Sequence, residues 1–225
     1  MTLHASFKGC SAQPVLIRHP GFTPAAAADP WSAIGMRQTV ARNREIYAEG
    51  ERADRIFKVV SGAVRTFELT EDGRRQVNAF YLPGEVFGLE ADGDYRFYAE
   101  AIVETTILAV RRERVGDRPE MLKELWQLTA AELARAQQHF MLLGRRTATE
   151  RVAWFLVSLA DRLHADGAIT ITLPMGRQDM ADYLGLTIET VSRTMTQLDE
   201  AGLIELHGAR LVHISRPERL KSAGH

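Results

Sequence analysis

With 225 residues the chain is long for one minimal domain and comfortable for two, each able to bury its own core. Its 45% hydrophobic and 25% charged residues are those of a globular protein and exclude a disordered or fibrous chain. A net charge of −1 reports on solubility and encounter rather than fold, so it argues neither for nor against a polyanionic partner. No stretch approaches the roughly 20 consecutive apolar residues that span a bilayer, and no basic flank leads into an apolar leader, so a cytoplasmic protein is expected.

Residues 1–35 contain Pro14, Pro20, Pro24 and Pro30 among many alanines and show no sustained period, which reads as a leader of little regular structure. It carries Cys10, the chain's one cysteine, which excludes an internal disulfide or an all-cysteine metal cage; an incidental thiol is favoured over a redox sensor. From 36 to 116 short β-rich runs alternate with turns at Glu49-Gly50-Glu51, Ser61-Gly62, Glu71-Asp72-Gly73, Pro83-Gly84-Glu85 and Asp92-Gly93-Asp94. Turns at that spacing predict an antiparallel sandwich or barrel. Ile56, Lys58 and Val60 alternate with Phe57 and Val59, and Val64, Thr66 and Glu68 with Arg65, Phe67 and Leu69. The stretch from Ala101 to Val110 reads as one buried final strand.

A helical period follows over 117–143. Leu122, Trp126, Thr129, Leu133, Ala136, Phe140 and Leu143 recur in steps of four and three, the spacing of a coiled-coil seam, and predict a self-associating helix. Leu125, Leu128, Met141 and Leu142 lie on another face that can pack on the β-domain. Gly144 weakens the helix, and Thr147 to Glu150 form a capping-box pattern that opens a second domain over 144–225. An apolar helix from Arg151 to Arg162 comes first, with Gly167 closing the turn beyond it, then a β run from Ile169 to Leu173.

Residues 176–203 carry the functional signal. Arg177 to Leu184 makes a short helix, Gly185 can take positive φ, and Thr187 can cap a second helix. Ala181, Leu184, Ile188, Val191, Met195 and Leu198 stand where two crossed helices would pack. On the opposite side Glu189, Ser192 and Arg193 are spaced i, i+3, i+4 and point one way. An arginine fork can bond guanine O6 and N7, a carboxylate can accept from cytosine N4, and serine can serve either role. The pattern predicts a helix-turn-helix whose second helix enters the major groove of double-stranded DNA. Thr187, Thr190 and Arg177 are the further DNA-contact candidates. Leu203 to Leu206, the turn His207-Gly208-Ala209 and Leu211 to Ile214 form a β-hairpin, the wing of a winged helix. Because basic and acidic residues balance over 144–225, the basic ones must gather on one face.

The order of β-roll, long helix and winged helix, with Glu189-Thr190-Val191-Ser192-Arg193, resembles the CRP/FNR family of bacterial regulators over residues 36–216. Arg177 to Arg193 and the roll segment from Glu49-Gly50 to Ser61-Gly62 resemble its FixK-like branch most. The resemblance implies an α+β fold: an antiparallel jelly-roll like that of cyclic-nucleotide-binding domains, a dimerisation helix and a winged helix-turn-helix. It also implies a homodimer on a TTGA-type inverted repeat, since Ile188 replaces the extra arginine of the cAMP receptor branch. Recruitment of RNA polymerase at microaerobic, denitrification or nitrogen-fixation promoters is implied in the same way.

What a regulator of this kind senses turns on departures from the family pattern. Where cAMP-binding members carry Gly-Glu-Leu and then Arg-Ser or Arg-Thr, this chain has Gly88-Leu89-Glu90 and Phe97-Tyr98, with Arg96 left for a shifted anion site. Cys10 alone cannot hold the iron-sulfur cluster of oxygen-sensing members, Gly176 removes a thiol switch before the first motif helix, and the histidines lack haem-ligand spacing. The branch implied is one that needs no cofactor and is set by its abundance. A roll that gates DNA binding by taking up a nucleotide or haem is the alternative. A cupin-like metalloenzyme lacks the clustered histidines and carboxylates it would need, so no enzyme is expected.

Overall fold

The computed structural model describes residues 30–90, 93–145, 147–163 and 170–224. Cys10, Gly167, Ile169 and the leader up to residue 29 lie outside the described residues. The last residues assigned to that leader do not fit the expectation: Pro30–Ile34 form a short helix, α1, whose Trp31 is fully buried. The indole donates from Nε1 to Glu124 at 3.0 Å, which makes this turn part of the packed body.

Eight strands build the roll: β1 (Met36–Val40), β2 (Glu45–Tyr47), β3 (Arg55–Ser61), β4 (Val64–Leu69), β5 (Arg75–Tyr81), β6 (Val86–Phe87), β7 (Tyr98–Ala101) and β8 (Thr105–Arg111). They form two antiparallel sheets ordered β1-β8-β3-β6 and β2-β7-β4-β5. Between the sheets, stacked rings fill the interior: Tyr47 lies 3.7 Å from Tyr95 between centroids, and Phe57 lies 5.2 Å from Phe87.

The stretch from Ala101 to Val110 is not one strand. β7 ends at Ala101 in one sheet and β8 starts at Thr105 in the other, so the chain turns the corner of the roll at residues 102–104. Apolar residues on either side hid the break: Ile102 at the corner is buried, and the exposed Glu104 is the polar residue that marks the turn. Gly62 makes the corner close. Its φ is +88°, and a Cβ there would sit 2.5 Å from Thr105 Oγ1 and 2.6 Å from the Glu104 carbonyl oxygen. Thr105 Oγ1 accepts from the Ala63 amide at 3.1 Å and shares its one proton between the carbonyls of Val103 and Ala63, at 2.8 and 3.0 Å, which holds the corner in place. Gly62→Ala is expected to cost about 2–5 kcal/mol, combining left-handed strain with backbone overlap, read as a lowered urea midpoint.

After α2 (Arg112–Gly116), α3 runs from Pro119 to Arg145 and passes through Gly144 without interruption. Its inner face packs on the roll: Met121 is buried, Leu125 and Leu128 are partly so, and Glu124 receives both Trp31 and Lys58, the latter at 2.9 Å. Leu142 is buried as well, whereas Met141, expected beside it, is 60% exposed.

The second domain holds α4 (Ala148–Leu163), β9 (Thr170–Thr172), α5 (Arg177–Leu184), α6 (Ile188–Glu200), β10 (Ile204–His207), β11 (Leu211–Ile214) and α7 (Pro217–Ala223). The capping box forms at the start of α4, where Thr147 N donates to Glu150 Oε2 at 2.6 Å and Glu150 N to Thr147 Oγ1 at 3.3 Å. β9 pairs with β11 and β11 with β10, making the wing a three-stranded sheet. α7 was not anticipated; Pro217 at its first turn is the sequence signal, and Leu220 anchors it in the core. No helix among the described residues is long and apolar enough to cross a membrane.

Candidate DNA interface

The reading unit is built from three local devices. Gly176 starts α5, and Asp179 reaches back so that its Oδ2 accepts from the Gly176 amide at 3.2 Å. This is half a capping box, because glycine has no side chain to return the bond. Gly185 then ends α5 in the left-handed region at φ 61° and ψ 42°, its amide donating to the Ala181 carbonyl. Thr187 caps α6, its Oγ1 accepting from the Thr190 amide at 3.2 Å. Two helices joined by Gly185-Leu186-Thr187 result, as the spacing predicted.

Val191, Met195 and Leu198 of α6 are buried against Ala181 and Leu184. Ile188, assigned to that inner face, is instead 37% exposed. It occupies the first position of α6, and the buried face begins one turn later at Val191, with Thr194 also buried at 2% exposure. The opposite face carries Glu189, Ser192 and Arg193, all exposed. Thr187 is exposed and Thr190 half-buried, and their hydroxyls lie 3.0 Å apart, so both keep a partner before any phosphate arrives. Arg177 is half-buried; that burial pulls its guanidinium below the ordinary value, yet it stays a cation at neutral pH. The wing is tied to α6 by Asp199, whose Oδ1 accepts from the Leu206 amide at 3.1 Å.

The acidic side chains of this domain are not spread at random. Asp179 and Asp182 of α5 meet arginines of the roll. Part of the negative charge that offsets the basic residues in sequence is thus neutralised at the roll. Sequence reasoning missed Arg65, Arg75, Asp179 and Asp182 as a group, since nothing in their spacing marks contacts more than a hundred residues apart.

The residues expected to form a seam lie as a largely exposed stripe on α3: Leu122 at 45%, Trp126 at 75%, Leu133 at 59% and Phe140 at 76%, with Thr129 and Ala136 exposed and Leu143 half-buried. Ala136, Phe140 and Leu143 border a cleft of about 490 Å³ between α3, β5 and α4. Within the roll, Arg96, the residue left for a shifted anion site, pairs through Nε with Glu90 at 2.7 Å and is otherwise largely exposed. Among the described residues no three histidine, cysteine, aspartate or glutamate side chains group as a metal cage would require.

Comparison with known proteins matches residues 150–223 to the Crp-like helix-turn-helix domain and 37–117 to the cyclic nucleotide-binding domain. The nitrogen fixation regulation protein FixK of Rhizobium meliloti is 49% identical over 193 residues, 86% of this chain and 89% of that protein. The chain belongs to the CRP/FNR family of DNA-binding transcription regulators. Within that family it is also 50% identical to FixK of Azorhizobium caulinodans over 188 residues, 80% of this chain and 76% of that one. The solved structure of FixK2 from Bradyrhizobium japonicum superposes with a TM-score of 0.79 at 43% identity, covering 85% of this chain and 98% of that one. The expected α+β architecture of roll, long helix and winged helix-turn-helix is that of this CRP/FNR neighbour.

Proposed function

We propose that the protein acts in the cytoplasm as a homodimeric, FixK-like activator that reads a TTGA-type inverted repeat and recruits RNA polymerase at promoters of microaerobic respiration, denitrification or nitrogen fixation. The exposed triad of Glu189, Ser192 and Arg193 on α6 carries this reading. The three share one helical face, their helix is capped and crossed as a major-groove reader needs, and Arg193 is the cation that can bond one guanine bidentately. The apolar stripe on α3 supports the dimer, and the similarity to FixK proteins named for nitrogen fixation supports the choice of promoters. The ring stack of Tyr47, Tyr95, Phe57 and Phe87 supports a roll that works as a filled scaffold without a cofactor.

Selection from random duplexes tests the reading directly and should recover an inverted repeat with TTGA-type half-sites. Arg193→Ala is expected to cost roughly 1–3 kcal/mol of binding to that site and to relax preference at one guanine, measured by titration against single-base variants. Equal loss on the selected site and on random DNA would remove base reading from Arg193.

A further inference from the structure

The grip between the roll and α5 has a geometry that plain packing does not require. Asp179 is 7% exposed and uses both carboxylate oxygens: Oδ2 caps α5, while Oδ1 accepts from Arg65 Nη1 at 2.8 Å and Arg75 Nη2 at 2.7 Å. Arg65, 6% exposed on β4, also donates to Glu100 on β7 at 2.7 Å. Arg75 on β5 forks onto Asp182 Oδ2, from Nε at 2.9 Å and Nη2 at 2.7 Å. Gln76 Nε2 donates to the Asp182 carbonyl at 2.7 Å, and the Phe67 ring lies 6.0 Å from the Arg65 guanidinium carbon and 5.7 Å from that of Arg75.

Apolar surfaces hold two bodies together but tolerate sliding and rotation, whereas planar guanidinium forks on carboxylates accept one direction of approach. Buried ion pairs add little net stability for their desolvation; fixing a unique arrangement is the better-attested return. The grip falls on the helix that carries α6 through the turn Gly185-Leu186-Thr187, and it leaves Glu189, Ser192 and Arg193 exposed. The gripped arrangement is therefore open to DNA.

We propose that Asp179 and Asp182, held by Arg65 and Arg75, are positioning residues for DNA reading, which set the direction of α6 relative to the roll so that two copies present their helices at one fixed separation and phase. The inference rests on the dimeric reading above. It assigns the roll a role that needs no ligand: it is the platform against which the reading helix is aimed.

The test uses the full-length protein and the pair that is least buried, Arg75 with Asp182, whose side chains are 23% and 12% exposed. Wild type, Asp182→Asn, Arg75→Gln and Asp182→Glu are titrated against duplexes whose half-sites stand at the selected spacing or one or two base pairs off it. Each added pair turns one half-site by about a tenth of a helical turn. Wild type should favour one spacing. Asp182→Asn and Arg75→Gln should bind that duplex roughly tenfold more weakly and flatten the spacing profile, while a wrong base inside a half-site costs them the same factor as wild type. Asp182→Glu, which keeps the carboxylate, should recover most of the preference. A wild-type profile in the first two variants, or tighter binding at every spacing, overturns the proposal.

A second measurement is independent of DNA. With Cys10 replaced by serine, spin labels at Glu71→Cys and Gln197→Cys, both exposed, report the distance between roll and α6. Loss of the Arg75 fork should broaden that distribution, and an unchanged one overturns the grip whatever the duplexes show. If wild type itself lacks a preferred spacing while the labels respond, the dimeric reading fails and the grip stands.

Discussion

Arg162→Met is expected to lower stability at pH 7 by about 3–5 kcal/mol, a fall in Tm of roughly 10 °C or more, because it strands a carboxylate inside the junction of the two domains. Arg162 on α4 donates to Glu85 of the roll from Nε at 3.0 Å and from Nη2 at 2.6 Å, and both side chains are more than four-fifths buried. Burial alone would push the Glu85 carboxyl up. The charge and hydrogen bonds of Arg162, with Arg135 and the Leu82 amide, outweigh burial and hold it below the usual carboxylate range. A depressed carboxylate contributes stability that is complete above its unfolded value of about 4.3 and lost as pH falls through the lower folded value. Without Arg162 the sign reverses: burial raises the carboxyl, so the variant is penalised as pH rises above about 4.3. Its deficit should be largest near neutrality and should shrink in acid, where Glu85 is protonated in both states. Urea unfolding at pH 7 and at about pH 3, well below the unfolded carboxyl value, measures both limbs, and Glu85→Leu combined with Arg162→Met should regain much of the loss by removing the stranded charge. A deficit that stays constant with pH would place the cost of Arg162→Met in lost packing instead.

The elements most legible in the sequence were those whose signals are local. Gly185, Thr187 and the Thr147 to Glu150 box fold by contacts within a few residues, and each forms as its spacing predicts. β4 shows why alternation was a weaker guide: Val64, Arg65 and Thr66 are buried in succession, because one face of the strand meets the roll interior and the other meets α5. A strand covered on both sides has no polar face to alternate with. β3 is covered in the same way, by ring packing within and by α1 and α3 outside, so Ile56 and Phe57 are both buried.

Charge was the least legible property. Arg65, Asp179 and Glu85 look in sequence like ordinary solvated residues, and each is at most 9% exposed because a partner from a distant element desolvates it. The apparent charge balance of residues 144–225 concealed an arrangement in which two aspartates of α5 face arginines of the roll and α6 keeps Arg193 exposed. Ile188 illustrates a smaller limit: helical spacing assigns a residue to a face but does not say where along the helix its neighbour ends.

Trp126→Glu combined with Phe140→Glu is expected to give a monomer that binds the inverted repeat about 10²–10⁴-fold more weakly than wild type, the factor lost when two linked half-site contacts become one. In the single chain these rings are among the most exposed large apolar side chains, at 75% and 76%, and with Leu122 and Leu133 they lie along one side of a helix whose other side is already packed on the roll. A continuous apolar stripe of this kind is costly in water unless a second surface covers it, and buried aromatics at such a surface carry the largest shares of binding energy. Introduced glutamates face water in a monomer at little cost, yet would bring like charges into a symmetric seam, where each meets its copy or a near neighbour. Gln127→Glu with Gln138→Glu adds the same two charges off the stripe and should leave assembly and DNA binding unchanged. Sedimentation equilibrium gives the mass and titration gives the affinity. If the double stripe variant keeps the wild-type mass, the copies associate through another surface, and the spacing of half-sites must then be derived from that surface rather than from α3.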